Sequence, residues 1–334
     1  MVKGKFLRGA ILAAGLAAIV PATLSGQGRR EGGEEVGAGV FVYQFIQNSV
    51  PLSFSVHDVM YETLYQDNVI SPVNFACRVL GPRAGKPYER AAVIPGDIQV
   101  GIHRLSPVEI SRQAFAQTGI KSIDIRAAIG TIPQSAFMYC TELESVAFHG
   151  NAPHFIEAAA FQGCTKLKSI EGLPAQLKYI GDYAFRQCSS LSEIYIPKDV
   201  EYLGEYAFYY CHSLSKVKFA TGHFRRIPRE CFRDCGKLTE IEIPEGVEAL
   251  DENAFYYAGL ESITLPGTMR ALYNGCLSQT PLKHIYLHAT TPPSVGKVFT
   301  QNMIDNITLH VPAGSIDRYR SDPFWKLFKN IVAL

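Results

Sequence analysis

Apolar residues return at a fixed long spacing through the middle of the chain. A phenylalanine stands every 22 to 24 residues, and a leucine takes the eighth such position. A constant period in the twenties is typical of one supersecondary unit that is stacked many times. The pattern therefore predicts a solenoid centred on Phe115, Phe137, Phe161, Phe185, Phe208, Phe232, Phe255 and Leu277.

Two local patterns alternate within each repeat. The last part reads IYIP at 194–197 and IEIP at 241–244, and this alternation of apolar and polar residues predicts a half-buried strand. The phenylalanine segment has apolar residues three positions apart, which predicts a short helix or an irregular turn. The predicted fold is an α/β solenoid of about eight repeats, with short parallel strands on one face and short helices or turns on the other.

The consensus I-x-x-x-A-F-x-x-C-x-x-L-x-x-I-x-I-P resembles the leucine-rich repeat of BspA-like bacterial surface proteins. Residues 180–197, IGDYAFRQCSSLSEIYIP, match it almost position by position, and the match runs from about Ile110 to Leu287. The C-terminal run LHVPAGSIDRYRSDPFWKLFKNIVAL resembles the closing segment of the same family. The resemblance implies a secreted or cell-surface protein for binding and adhesion, and it carries over no catalytic residues.

The first, seventh and eighth repeats depart from this consensus. Thr118 and Ala258 stand at the cysteine position, and Gly275-Cys276-Leu277 replaces the small residue and phenylalanine of the last repeat. Terminal repeats of solenoids commonly drift because they face caps rather than another repeat.

Composition divides the chain into five segments. Residues 1–28 have a basic start, an apolar core too short for a bilayer span and small residues suited to cleavage, which predicts an export signal peptide. Residues 29–40 are polar and glycine-rich, as in a flexible leader. Residues 41–105 lack the period and favour strands, so they are expected to form a β-rich N-terminal cap. The leucine-rich-repeat solenoid takes 106–288, and 289–334 form a C-terminal cap in which the single tryptophan packs against nearby aromatic residues.

The signal predicts an exported protein that is secreted, held at the cell surface or kept in the periplasm. No other run of 18 apolar residues occurs, so we expect no integral membrane span after signal removal. The formal net charge is +1 and no basic stripe dominates. The charge distribution therefore does not predict a nucleic-acid partner.

The eight cysteines would allow disulfide bonds in an exported protein. We expect instead that those at the repeat position are small buried residues with free thiols. Cys231 and Cys235 form the one close pair, and a bridge between them is an open alternative. No further ligand stands at zinc-site spacing, so neither a metal nor another cofactor is expected. The cysteines at the repeat position are Cys140, Cys164, Cys188, Cys211 and Cys235.

No G-x-S-x-G, phosphate-binding loop or H-E-x-x-H motif occurs, so the sequence predicts a protein without catalytic activity. His284 and His288 would lie on one strand face but about 13 Å apart, too far to share a metal ion. The weakest alternative is an enzyme with its site in residues 41–105. Its candidate residues are His57, Asp58, His103 and Glu109.

The outward strand positions should form two columns that run along one continuous surface. The middle of this surface mixes both charges with a tyrosine, which suits a protein partner. A glycan is the alternative ligand, with Tyr195 and Tyr286 stacking on sugar rings. The candidate binding residues are Glu193, Tyr195, Lys216, Lys218, Glu240, Glu242, Thr264, His284 and Tyr286.

The phenylalanine segments also carry several tyrosines. They could bind a partner or a sugar, but we favour the interpretation that they cover the convex side of the solenoid. These tyrosines are Tyr206, Tyr209, Tyr210, Tyr256 and Tyr257.

Overall fold

The fold is taken from a computed structural model of the chain. The predicted signal peptide, residues 1–28, lies outside the part that the structure describes. The described residues are 34–36, 40–44, 53–56, 59–63, 74–82, 91–100, 103–150, 152–171, 173–220 and 223–334.

Among the described residues, eight strands lie before the first phenylalanine segment. They are β1 (Glu34–Val36), β2 (Val40–Gln44), β3 (Ser53–Val56), β4 (Val59–Thr63), β5 (Asn74–Pro82), β6 (Ala91–Ile94), β7 (Ile98–Val100) and β8 (His103–Ile110). Seven of them form one sheet in the order β1-β2-β3-β4-β5-β8-β7, in which only β5 and β8 run parallel. Strand β1 falls within residues 29–40, for which the sequence predicts a flexible leader.

The N-terminal sheet is packed directly onto the first repeat. Tyr61, Cys77 and Val79 are fully buried in the same core as the repeats. Gly81 has a φ of +97°, and a side chain there would overlap the main-chain carbonyl of Ala114 in the first phenylalanine segment. The sheet therefore covers the end of the repeat core that would otherwise face solvent.

From Ser122 onward the chain alternates between two columns of parallel strands. The main column contains β9 (Ser122–Ile125), β11 (Ser145–Phe148), β13 (Ser169–Glu171), β15 (Glu193–Ile196), β17 (Lys216–Phe219), β19 (Glu240–Glu242), β21 (Ser262–Leu265), β23 (His284–Leu287), β25 (Thr308–Val311) and β26 (Asn330–Ala333). The minor column contains β10 (Thr131–Ile132), β12 (Phe155–Ile156), β14 (Tyr179–Ile180), β16 (Tyr202–Leu203), β18 (Arg226–Ile227), β20 (Ala249–Leu250), β22 (Ala271–Leu272) and β24 (Ser294–Val295).

Hydrogen-bonded pairing in the main column extends beyond both ends of the predicted repeats, because β6 pairs with β9 and both β25 and β26 follow β23. Within the described residues, pairing lapses between β13 and β15 and between β17 and β19. Pairing in the minor column lapses once, between β16 and β18. Elsewhere successive strands are in register, so that Glu193 lies opposite Lys216 and Ser262 opposite His284.

The seven phenylalanines form one stack inside the solenoid. Each ring is fully buried, and the centroids of neighbouring rings are 5.1–5.4 Å apart. Leu277 is buried at the eighth position. The predicted leucine-rich-repeat solenoid, with the phenylalanines in a single column, is confirmed.

The phenylalanine segments are turns rather than helices. Around Phe208, both Tyr206 and Tyr210 have positive φ values, 58° and 61°, and equivalent residues do so in the other repeats. The Phe208 N–H donates to the carbonyl of Cys231 in the next repeat at 2.9 Å. A helix would need this N–H for a bond four residues back along its own chain. Of the two predicted forms, the turn is therefore the one that occurs.

The α-helices of the described residues both follow the last repeat. Helix α1 spans Gln301–Asn306, with the Thr300 side chain accepting a hydrogen bond at its N-terminus, and α2 spans Ile316–Ser321. Two short 3-10 helices, Ala313–Ser315 and Trp325–Leu327, complete the segment.

Trp325 lies at the centre of an aromatic cluster that closes the C-terminal end. Its ring centroid is 5.8 Å from that of Phe324 and 5.4 Å from that of Phe328, as predicted. The indole N–H donates to the carbonyl of Pro293 at 2.8 Å, which satisfies the one polar group of this buried side chain.

All eight cysteines are buried and free. The prediction of buried free thiols is confirmed, and the alternative of a Cys231–Cys235 bridge is wrong, because Cys231 fills the small-residue position before Phe232 within the core.

Candidate binding surface on the sheet face

We use the term sheet face for the outward surface of the main column. Strands of this column alternate buried and outward side chains, so that Ile194 and Ile196 point into the core while Glu193 and Tyr195 point out. All nine candidate residues predicted from the sequence occupy outward positions on β15, β17, β19, β21 or β23.

The lapse between β13 and β15 opens a depression in the sheet face. Its volume is about 600 Å³. Ile170 is half-buried here, whereas Val146 and Ile194 at the same position of the neighbouring repeats are buried. Leu173 is also half-buried. The lining residues are Ser169, Ile170, Glu171, Leu173, Glu193, Ile194, Tyr195, Lys216 and Lys218.

The depression gathers four of the predicted binding residues: Glu193, Tyr195, Lys216 and Lys218. Sequence reasoning chose these residues for their mixture of charge and aromatic character, but it missed the depression itself. A signal was available, because Gly172 stands where other repeats place a large apolar residue such as Phe148 or Ile196.

The charges at the centre of the sheet face differ from those on the other surfaces of the described residues. Across the part of the protein that the structure describes, none of the five central charged side chains makes an ion pair. On other surfaces, charges of neighbouring repeats do pair, as in Lys168–Glu144 at 2.8 Å and Lys283–Glu261 at 2.7 Å. The unpaired charges are Glu193, Lys216, Lys218, Glu240 and Glu242.

A second cluster lies further along the sheet face. His284 Nδ1 is 3.2 Å from Nε2 of His310, which belongs to β25. The ring of Tyr286 stacks on His310 with centroids 4.4 Å apart. Burial, and secondarily the neighbouring His284, lower the pKa of His310. Sequence reasoning missed His310 because it follows the last repeat, although TLHV at 308–311 shows the same alternation as the repeat strands.

Thr264 adjoins this second cluster, since it lies directly opposite Tyr286 on β21. The nine predicted residues are therefore divided. Six lie around or next to the depression, and Thr264, His284 and Tyr286 lie toward the C-terminal end. Tyr195 and Tyr286 are four strands apart, or about 19 Å at the usual strand spacing of ~4.8 Å. They are too far apart to stack on one sugar ring.

The repeats match a known family. Residues 108–225 and 203–320 match the family model of the BspA type leucine rich repeat region, in six copies. The chain belongs to this family. Membership confirms the resemblance drawn from the IGDYAFRQCSSLSEIYIP consensus.

A solved structure shows the same fold. A leucine-rich repeat protein from Bacteroides ovatus superposes with a TM-score of 0.58 at 22% identity, over 84% of this chain and 76% of that one. A leucine rich cell surface protein from Faecalibacterium prausnitzii gives a TM-score of 0.42 at 16% identity, over 85% and 95%. The comparison with curated proteins returned no match. Among the residues that the structure describes, no helix has the length and apolar character needed to span a bilayer.

The tyrosines of the leucine-rich-repeat turns are engaged within the protein. The guanidinium of Arg186 lies 5.3 Å from the ring centre of Tyr209, and that of Arg233 lies 5.5 Å from Tyr209 and 5.0 Å from Tyr256. Such cation–π contacts tie neighbouring repeats together on the convex side. Their geometry supports a covering role for these tyrosines.

The minor column presents an aromatic stripe that sequence reasoning did not identify. Phe155 and Tyr202 are exposed, and the ring of Tyr179 stacks on Tyr202 with centroids 4.6 Å apart. The signal was an aromatic residue six positions before the phenylalanine in three successive repeats. Tyr179 and Tyr202 cover one another's ring faces, whereas the ring of Phe155 is tilted against Tyr179 with centroids 6.4 Å apart.

Two of the four residues of the catalytic alternative lie in the described strand β8. His57 and Asp58 lie outside the described residues, and His103 is placed in β8. Glu109 is paired with Arg78 at 2.8 Å. Among the described residues, no group of three or more histidine, cysteine or acidic side chains could hold a metal ion.

Proposed function

We propose that this protein is an exported binding protein without catalytic activity, and that its sheet face binds a protein partner. The observation that carries the proposal is the group of unpaired charges around the depression, together with Tyr195, which is 54% exposed. The partner would be an extracellular protein of a host or a protein of a bacterial surface. No cofactor or nucleic acid is involved.

The chemistry of the depression suits a protein surface. Its floor is apolar, with Ile170 and Leu173, and its walls carry Glu193 on one strand and Lys216 on the next. Unpaired charges of both signs can form ion pairs across an interface, which fixes the orientation of the partner. Tyrosine is, with tryptophan and arginine, one of the residue types that most often dominate the binding energy of interfaces.

Export is supported by the sequence of residues 1–28 and by membership of the BspA-type family. Protease treatment of intact cells tests it. We expect digestion of this protein while a cytoplasmic protein in the same cells survives. Survival of both proteins until the cells are lysed would contradict export and surface exposure.

Binding should be measured with purified protein against panels of host extracellular proteins and bacterial surface proteins, by biolayer interferometry. The sheet-face variants are Tyr195→Ala, Lys218→Glu and Glu242→Lys. Each has a matched control on the turn side with the same chemical change: Tyr257→Ala, Lys237→Glu and Glu252→Lys. Tyr257 suits this purpose because it is 52% exposed, almost as much as Tyr195.

We expect at least one sheet-face variant to weaken binding about tenfold, or about 1.4 kcal/mol, while the controls bind normally. Binding that survives all three sheet-face changes would reject this placement of the site. A glycan array addresses the alternative ligand. Glycan binding that is lost in Tyr195→Ala would show that the ligand is a sugar rather than a protein. An array on which no glycan binds would reject the glycan alternative.

A further inference from the structure

Two histidines of neighbouring strands aim ring nitrogens at each other on the sheet face. His284 lies on β23 and His310 on β25, with Nδ1 of the first and Nε2 of the second 3.2 Å apart. The register places Tyr286 directly opposite His310, so the two imidazoles meet on the diagonal between adjacent strands. This pair lies away from the depression, beyond Thr264.

The separation of these nitrogens equals that of two ligands on one metal ion. Imidazole nitrogens bind Zn²⁺ at about 2.0–2.1 Å, so two of them at angles of 90–109° are about 2.9–3.4 Å apart. The observed distance lies inside this interval. For both lone pairs to meet at one ion, the two side chains must turn away from the present hydrogen bond.

We propose that His284 and His310 together bind one divalent transition-metal ion, such as Zn²⁺, Ni²⁺ or Cu²⁺. Since the described residues supply no third histidine, cysteine or carboxylate nearby, water fills the other positions. Such a site is open and exchangeable, unlike a structural zinc site with four protein ligands.

The surroundings hold the two histidines in place. The ring of Tyr286 stacks on His310 and limits its rotation. Parallel pairing with β21 on one side and β26 on the other holds both strands in place. A pair of imidazoles selects borderline metals over Ca²⁺ and Mg²⁺, which prefer oxygen ligands.

Calorimetric titration of untagged full-length protein at pH 7.5 tests the site. We expect one Cu²⁺, Ni²⁺ or Zn²⁺ per chain, with Cu²⁺ bound most tightly, and no binding of Ca²⁺ or Mg²⁺. Either His284→Gln or His310→Gln should weaken binding at least about tenfold. His288→Gln is the matched control, because this exposed histidine follows the same strand and should leave binding unchanged.

Normal binding in both variants, or an equal loss in the control, would overturn the proposal. Paramagnetic resonance of the Cu²⁺-loaded protein gives a second measurement that needs no mutation. We expect coupling to two imidazole nitrogens, and coupling to one or none would reject the paired site. Since metal alone is the probe, failure here leaves the proposed binding of a protein at the depression unaffected.

Discussion

The thiol of Cys188 donates a hydrogen bond to the main-chain oxygen of Phe161, one repeat earlier, at 3.2 Å. All five cysteines of this position make the same bond, at 2.9–3.3 Å. Where threonine occupies the position, at Thr118 and Thr280, its hydroxyl donates to the carbonyl within the same turn. Seven of the eight repeats therefore place a small hydrogen-bond donor at this position, and Ala258 of the seventh repeat is the exception.

Replacing this donor should destabilise the solenoid. In Cys188→Ala the hydrogen bond and the volume of sulfur are both lost, and we expect about 1–3 kcal/mol less unfolding free energy in urea denaturation. Cys188→Ser keeps a donor and should cost less than the alanine variant. A larger loss for serine would contradict a hydrogen-bonding role and favour simple packing.

The central phenylalanine should be among the most costly residues to truncate. The ring of Phe185 lies 5.4 Å from both Phe161 and Phe208, and no part of it is exposed. Phe185→Ala should lower the unfolding free energy by about 3–5 kcal/mol in urea denaturation. Phe185→Leu should cost about 1–2 kcal/mol, because leucine already serves at position 277. Equal losses for both variants would show that the stack does not depend on ring volume.

Two glycines provide a matched test of how closely repeats approach. A Cβ at Gly204 would overlap the main chain of Gly181 and Asp182 in the preceding repeat, whereas a Cβ at Gly236 meets nothing within 4 Å. Neither residue has positive φ. We expect Gly204→Ala to lower the thermal unfolding midpoint, at a cost of about 1–3 kcal/mol. Gly236→Ala should change stability by less than about 0.5 kcal/mol, and a similar loss in both would refute the clash.

The buried thiols should make the fold sensitive to alkali. Burial raises the pKa of Cys211 from 9.0 to about 12. Folding therefore keeps this thiol protonated, and its contribution is complete below pH 9 and lost as the pH rises toward 12. The thermal midpoint should fall over that interval, and less steeply in Cys211→Ala. An unchanged slope in the variant would contradict this assignment.

The same burial predicts how the thiols react. Thiolate-directed reagents should label none of the cysteines of the native protein at pH 8, because burial disfavours the reactive anion. After denaturation all eight should react. Fewer than eight labelled cysteines in the denatured protein would show that some cysteines form disulfide bonds in the isolated protein.

The sequence was sufficient to predict the interior. Phe208 and its equivalents repeat with a period that only stacking explains, and the alternation at 193–196 identified which strand residues face outward. These predictions succeeded because burial imposes the same requirement on every repeat.

The turns could not be predicted in the same way. Apolar residues three positions apart fit both a helix and a compact turn, so the pattern around Phe208 left both open. Positive φ at Tyr206 and Tyr210 is imposed by hydrogen bonds to the next repeat, and tyrosine gives no local sign of it. The conformation is fixed by tertiary contact rather than by propensity.

The candidate site was predicted in its residues but not in its shape. Glu193 and Lys216 are recognisable from the strand pattern, but the depression beside them depends on a lapse in pairing, which periodicity does not report. His310 contacts His284 because one more strand continues the column, and the repeat consensus ended before it. The local details of the site therefore depend on features that the repeat consensus does not contain.

At the junction between Phe208 and Phe232, both strand columns lapse within the described residues. The two rings nevertheless stack at 5.3 Å, and N–H groups of Tyr206, Phe208 and Tyr210 donate to the following turn. At this junction the repeats are therefore joined by the buried ring stack and by the hydrogen bonds between the turns on the convex side. The two parts of the sheet face are thus aligned by contacts on the opposite side of the solenoid. The facing edges of β17 and β19 are left open for contact with a ligand.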